Sequence, residues 1–154
     1  MKKLFFLILF STMLSCNTKN EIINGELYFK LVNFLPNEGL NKEQFSKMKS
    51  DIGKLSESKN HDELRLYEYL EKLEKYNLLA SPNITIKMKN NELRVIFLNQ
   101  KEYQKLKTYT LNDLNCRGKK IVIELKVKEI DTAIFYSDKI ISIKEINGKT
   151  SWSK

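Results

Sequence analysis

The chain has 154 residues, with 27 Lys and Arg against 19 Asp and Glu, a formal net charge of +8 and 42% hydrophobic residues. That length suits one domain around a single core, and two cysteines with one histidine are too few ligands for a Cys/His zinc site. No Gly-rich phosphate loop, HExxH, GxSxG or EF-hand pattern is present, which removes the sequence signatures of nucleotide-binding loops, zinc proteases, serine hydrolases and calcium sensors.

The N-terminus combines Lys2-Lys3, the apolar run Leu4-Phe5-Phe6-Leu7-Ile8-Leu9-Phe10 and the small or polar Ser11-Thr12 ahead of Met13-Leu14-Ser15-Cys16. A positive start, a short apolar stretch and a small residue before a cleavage point are the marks of an export signal. The apolar run falls far short of the roughly 20 residues a spanning helix needs. The stretch Met13-Leu14-Ser15-Cys16 resembles the lipobox of bacterial lipoproteins, with Met13 where a branched aliphatic residue is commoner. The resemblance implies cleavage before Cys16, a thioether-linked diacylglyceryl group on its sulfur and acylation of the new amine. Two or more acyl chains hold a protein stably at a bilayer. The expected organisation is a signal peptide over 1–15, a lipidated tether over 16–25 and a single domain over 26–154. Its place is the exported side of a membrane, on a periplasmic or surface face. A lipidated Cys16 leaves Cys116, in the polar Asn115-Cys116-Arg117-Gly118 turn, without a disulfide partner in the chain, so packing must supply stability.

Residues 17–25 are mostly polar and end in Asn24-Gly25, which reads as the tether. Aromatic and branched residues make 26–34 a strand, closed by Pro36 and Gly39. A helix over 42–55 follows, with Asn41 as N-cap, Gln44 completing a capping box and Leu40 placed to staple onto Phe45. Phe45, Met48, Ile52 and Leu55 form its apolar stripe. Asn60 with Glu63 opens a second helix to about Leu79, with Leu66, Tyr69, Leu70, Leu73 and Asn77 along one face and Ser81-Pro82 as its stop. Asn99 with Glu102, and Leu98 against Tyr103, predict a short helix over 100–106.

Between the second and third helices lies a hairpin. A two-residue turn at Asn90-Asn91 would pair Met88 with Leu93, Ile86 with Val95 and Ile84 with Phe97 on an apolar face. Lys87 would then oppose Arg94 on the other face. From Lys119 onward Ile121, Ile123, Leu125 and Val127 alternate with Val122, Glu124, Lys126 and Lys128, a further strand. Ser137-Asp138 reads as a turn between strands at 132–136 and 139–146, and Asn147-Gly148 as a turn into a last strand around Trp152. The fold class is α+β: a mainly antiparallel sheet of about six to seven strands, strongly bent or partly barrel-like, with two longer helices and one short helix.

Loss of Lys2 and Lys3 with a signal peptide takes 27 basic residues to 25 against 19 acidic, a net charge of +6. The excess follows the strands: residues 83–107 hold six basic and two acidic side chains, whereas 40–82 hold eight of each. Like charges facing each other across a ladder repel, so Lys87 and Arg94, extended by Lys126 and Lys128, form the candidate site for an acidic partner. The alternative is a solvated strand face with lysines guarding an edge. An exported chain would meet membrane phosphates, an acidic envelope polymer or an envelope protein rather than nucleic acid.

No catalytic, cofactor-binding or metal-ligating residue is assigned; His61 reads as part of a helix start and Cys116 as a loop residue. The expected function is a non-catalytic, lipid-anchored binding or assembly module of the cell envelope. Two alternatives stay open: a protective lipoprotein that neutralises a toxin or an envelope-attacking enzyme, and a hydrolase using carboxylates among Glu63, Glu68, Glu71 and Glu74. Those glutamates also fit the wet face of a helix, with Glu68-Lys72 and Glu71-Lys75 in the favourable i,i+4 order.

Overall fold

Strict alternation of apolar residues between Lys119 and Asp131 places Ile121, Ile123, Leu125 and Val127 on one side of one strand, where each is wholly buried. In the computed structural model, which describes residues 20–28, 42–109 and 118–148, these side chains line the inside of a closed five-stranded barrel. Its strands are β1 (Asn20–Leu27), β2 (Asn83–Lys87), β3 (Leu93–Leu98), β4 (Lys119–Asp131) and β5 (Ile134–Asn147), in the order β1-β2-β3-β5-β4. The antiparallel run β4-β1-β2-β3 is a Greek key. β5 closes the barrel by lying antiparallel to β4 and parallel to β3. Three helices complete the α+β fold: α1 (Lys42–Leu55), α2 (His61–Lys75) and α3 (Gln100–Gln104).

The strand expected over 26–34 starts earlier, at Asn20, so Asn20–Gly25 belong to the sheet rather than to a tether. Their backbone pairs continuously with β4, from Asn20↔Lys128 to Glu26↔Val122, and Ile23, Gly25 and Leu27 turn into the barrel. Ladder hydrogen bonds are made by the main chain, so polar side chains facing water do not prevent them. Residues 29–34, and the strand expected around Trp152, lie outside the described residues.

The hairpin forms one residue out of the expected register. Its loop is three residues long, Lys89-Asn90-Asn91, with Asn91 at φ 64°. The Asn91 N–H donates to the Met88 carbonyl (3.0 Å) and the Met88 N–H to the Glu92 carbonyl (2.8 Å). An asparagine tolerates this left-handed conformation, which a three-residue hairpin loop needs. The slip exchanges the faces of β3. Ile84 pairs with Ile96 and Ile86 with Arg94, so Ile96 and Leu98 enter the barrel while Val95 and Phe97 face outward beneath α2.

Two short strands expected after residue 131 are one long strand. The turn from β4 to β5 is made at Thr132 and Ala133, with Ala133 at φ 61°. The Asp131 carboxylate accepts from the Thr132 N–H (2.7 Å) and Glu129 from the Ala133 N–H (3.2 Å). Ser137-Asp138 is a bulge, since Lys126 pairs with Lys139 and Val127 with Ser137, which leaves Asp138 over. Ser137 is 1% exposed, and its hydroxyl donates to the Lys139 carbonyl (3.1 Å). The bulge, by joining two expected strands into one, accounts for the smaller number of strands among the described residues.

α1 has the expected bounds; Asn41 and Leu40 lie outside the described residues. Asn60 caps α2 by accepting from the Asp62 N–H (2.9 Å), while the Glu63 carboxylate takes the Ser58 hydroxyl instead of turning back to the Asn60 amide. α2 ends four residues before Leu79 because Asn77 adopts φ 57°. The Leu78 N–H reaches the Leu73 carbonyl (2.7 Å) and the Asn77 N–H the Glu74 carbonyl (2.9 Å). This is a Schellman cap, and Leu73 and Leu78 are buried together behind it with Phe97 and Ile134. That cluster fastens α2 to the outside of β3 and the start of β5, and α1 lies against α2. Leu106, just past α3, is buried in the barrel cluster with Tyr103 and Tyr109 packed against it.

Candidate functional site

The candidate residues divide into two groups once the register is known. Lys87 does not face Arg94; it lies between Glu26 of β1 and Leu93 of β3. Arg94 stands on the inward side of β3, at the barrel mouth where β1 runs past the end of β2. Its guanidinium is held by Glu21 (2.6 Å) and Glu92 (3.0 Å) and lies 4.6 Å from the centre of the Phe135 ring. The Arg94 side chain is 18% exposed, and its charge is already met within the chain by these two carboxylates. The Asn90 amide, followed by Arg94, holds the Glu92 carboxyl below its ordinary pKa.

A double-mutant cycle measures the Arg94–Glu21 pair. Arg94→Ala and Glu21→Ala should each lower stability, with a coupling of about 1 kcal/mol, the upper part of the range for partly exposed ion pairs. A coupling near zero in urea unfolding would show that Arg94 acts only through Phe135 and Glu92.

Lys126 and Lys128 share the outward face of β4, as their alternation requires. Register sets Ile22 of β1 on one side of Lys126 and Lys139 of β5 on the other; Lys128 lies between Asn20 and Tyr136. The β5 bulge at Ile141, between the pairs Glu124↔Ser142 and Leu125↔Ile140, brings that side chain to the same surface. Asn20, Glu21, Ile22, Lys126, Lys139 and Ile141 line one shallow groove there. Ile22 is 67% exposed and Ile141 42%. Among the described residues no ion pair involves Lys126, Lys128 or Lys139. Farther along the same face Lys120 reaches Glu26 at 3.9 Å, and Ser142 donates to Glu124 at 3.4 Å.

The residue pattern does not mark Ile22, Lys139 and Ile141 as site residues, because Ile22 falls in the expected tether and the other two in the strand expected over 139–146. The usable signal was the adjacent pair Ile22-Ile23: in a strand, one of two neighbouring isoleucines must face outward.

Of the four glutamates, Glu68, Glu71 and Glu74 line one open cavity with Lys72 and Lys75, while the Glu63 carboxylate takes the Ser58 hydroxyl. Glu71 accepts from the Tyr67 hydroxyl, which pushes that phenol above its ordinary pKa, and Glu74 pairs with Lys49. Neither expected i,i+4 ion pair forms: Lys72 instead approaches Asp131 at 3.7 Å, and Lys75 lies over the Tyr76 ring. His61 is exposed at the first position of α2. Among the described residues no three His, Cys, Asp or Glu side chains come together as a metal site, and no helix is long and apolar enough to cross a membrane. Cys16 and Cys116 lie outside the described residues.

Chemically, the basic and apolar groove can hold anionic groups against its ammonium ions while covering two isoleucines. Comparison with known proteins finds no matching family model, no similar curated protein and no similar solved structure.

Proposed function

We propose that the chain is the precursor of a lipid-anchored, non-catalytic binding module on the exported face of a bacterial membrane. The observation that carries this reading is the N-terminal order: Lys2-Lys3, the apolar run 4–10, then Met13-Leu14-Ser15-Cys16. The mature chain would begin at Cys16, with its acyl chains in the bilayer and the barrel outside it. On this reading residues 17–19 alone separate the anchor from the first strand, which starts at Asn20.

Growth with radiolabelled fatty acid tests the anchor. The wild-type protein should take up label, and Cys16→Ser should take up none and accumulate as the longer precursor. Equal label in the two forms, or none in either, would overturn the reading.

A further inference from the structure

We infer that the outward surface made by Ile22, Lys126, Lys128, Lys139 and Ile141 is a seat for an anionic bilayer, on which the barrel rests once anchored; the inference rests on lipidation of Cys16. The first argument is reach. Four residue steps from Cys16 to Asn20 span at most about 14 Å even when fully extended. Ile22 is two residues beyond Asn20 and shares the groove with it. An anchor at Cys16 therefore keeps this end of the barrel within one short span of the headgroups, whatever path residues 17–19 take.

The second argument is chemistry. Isolated isoleucines on a surface are ordinary, but Ile22 and Ile141 lie in one groove with Lys126 and Lys139 between and beside them. Apolar side chains flanked by lysines suit the boundary of a bilayer, where the alkyl groups enter the acyl edge and ammonium ions meet lipid phosphates. Among the described residues the one carboxylate that lines the groove is Glu21, and Arg94 already pairs with it at 2.6 Å. The third argument is access. Among the described residues α2 packs over β3, the start of β5 and the end of β4 at Ile130 and Asp131, and no helix residue is among those that line the groove.

Lysine acetylation of the full processed protein, kept to low occupancy because each acetyl group removes a charge, tests the seat without a substitution. The protein is placed in vesicles of phosphatidylcholine alone, or of equal parts phosphatidylcholine and phosphatidylglycerol, then labelled briefly and digested. In the anionic vesicles Lys126 and Lys139 should be labelled several-fold more slowly than in the neutral ones, while Lys47 and Lys59, exposed on and after α1, should keep their rates. Equal rates for Lys126 and Lys139 in the two vesicles would overturn the proposal, as would a uniform fall across all four lysines. The mass of the N-terminal peptide in the same digest reports lipidation of Cys16. A lipidated peptide without selective protection sinks the seat alone. An unlipidated peptide sinks the anchor, and with it the tethered form of the seat.

Discussion

Gly25→Ala should cost about 3 kcal/mol of stability, the upper end of what overpacking a core exacts. A Cβ at Gly25 would sit 2.3 Å from the Ile86 Cγ2 methyl and 2.6 Å from the Lys87 carbonyl oxygen. Neither neighbour can withdraw cheaply. Ile86 is wholly buried in the barrel, and Lys87 is one of the two β2 residues that pair with β1. The glycine is thus required by close approach of two strands, not by a special backbone angle. Gly53→Ala, in the last turn of α1 with nothing within 4 Å of the added methyl, should do the reverse and stabilise by about 0.5 kcal/mol. Urea unfolding of the two variants, at unchanged m-value, reads both effects. Ile86→Ala removes the clashing methyl but leaves the carbonyl, so the double variant Gly25→Ala/Ile86→Ala should stay well below wild type. A Gly25→Ala protein as stable as wild type would show that β1 does not pass this close to β2.

Glu102→Ala should be comparably damaging, at about 3 kcal/mol, because it strands a buried N–H and removes charge-assisted hydrogen bonds. The Glu102 residue is 5% exposed; its carboxylate accepts from the Ile140 N–H (2.7 Å) and from the Lys105 ammonium (2.7 Å). Three residues earlier, the Asn99 side chain accepts from the Glu102 N–H and donates to the Asp138 carbonyl (3.1 Å). Together they clamp the start of α3 onto the β5 bulge, which keeps Leu106 in the end of the barrel. Burial alone would raise the Glu102 pKa, but the Lys105 and Ile140 hydrogen bonds and the nearby Lys105 and Lys101 charges outweigh it and hold the carboxyl below its ordinary value.

With the native pKa depressed, the unfolded chain takes up the proton first as the pH falls. The contribution of Glu102 is therefore complete above the ordinary glutamate pKa and fades on acidification through the lower native one. Glu102→Gln should be less stable than wild type by about 1–2 kcal/mol at neutral pH, since the amide keeps the shape but loses the charge. The gap should narrow in acid. Other carboxylates with lowered pKa, among them Asp131 beneath the Thr132 N–H and the Tyr76 hydroxyl, titrate in both proteins and cancel in the comparison. A gap that stays constant with pH would show that the carboxylate is not held as an ion.

Local signals were legible wherever a short stretch of chain satisfies itself. The Asn60 and Asn99 caps and the apolar alternation of β4 all depend on residues within a few positions of each other, and each stands where the residue pattern placed it. The partners of the N3 glutamates were not legible. Glu102 leaves its own cap for Ile140, 38 residues away, because a buried strand N–H offers a drier and stronger partner than an exposed helix terminus.

The same limit shaped the candidate site. Lys126 and Lys128 share a face because alternation within one strand is a local fact. Their neighbours Ile22 and Lys139 come from pairings to β1 and β5 that no stretch of β4 encodes. The Lys87–Arg94 pair failed through a single residue of loop length, which moved Arg94 to the inward side and gave it Glu21 and Phe135.

The sequence by itself determined the alternation that fills the barrel, two of its helix caps and an α+β class, because these follow from period, propensity and chemistry within about a turn of chain. Tertiary structure alone decided where β1 begins, which way β3 faces, that Ser137-Asp138 bends a strand instead of ending it, and that closure needs five strands. Each of those is a choice between main-chain partners far apart in the chain, and main-chain groups pair alike whichever side chains they carry.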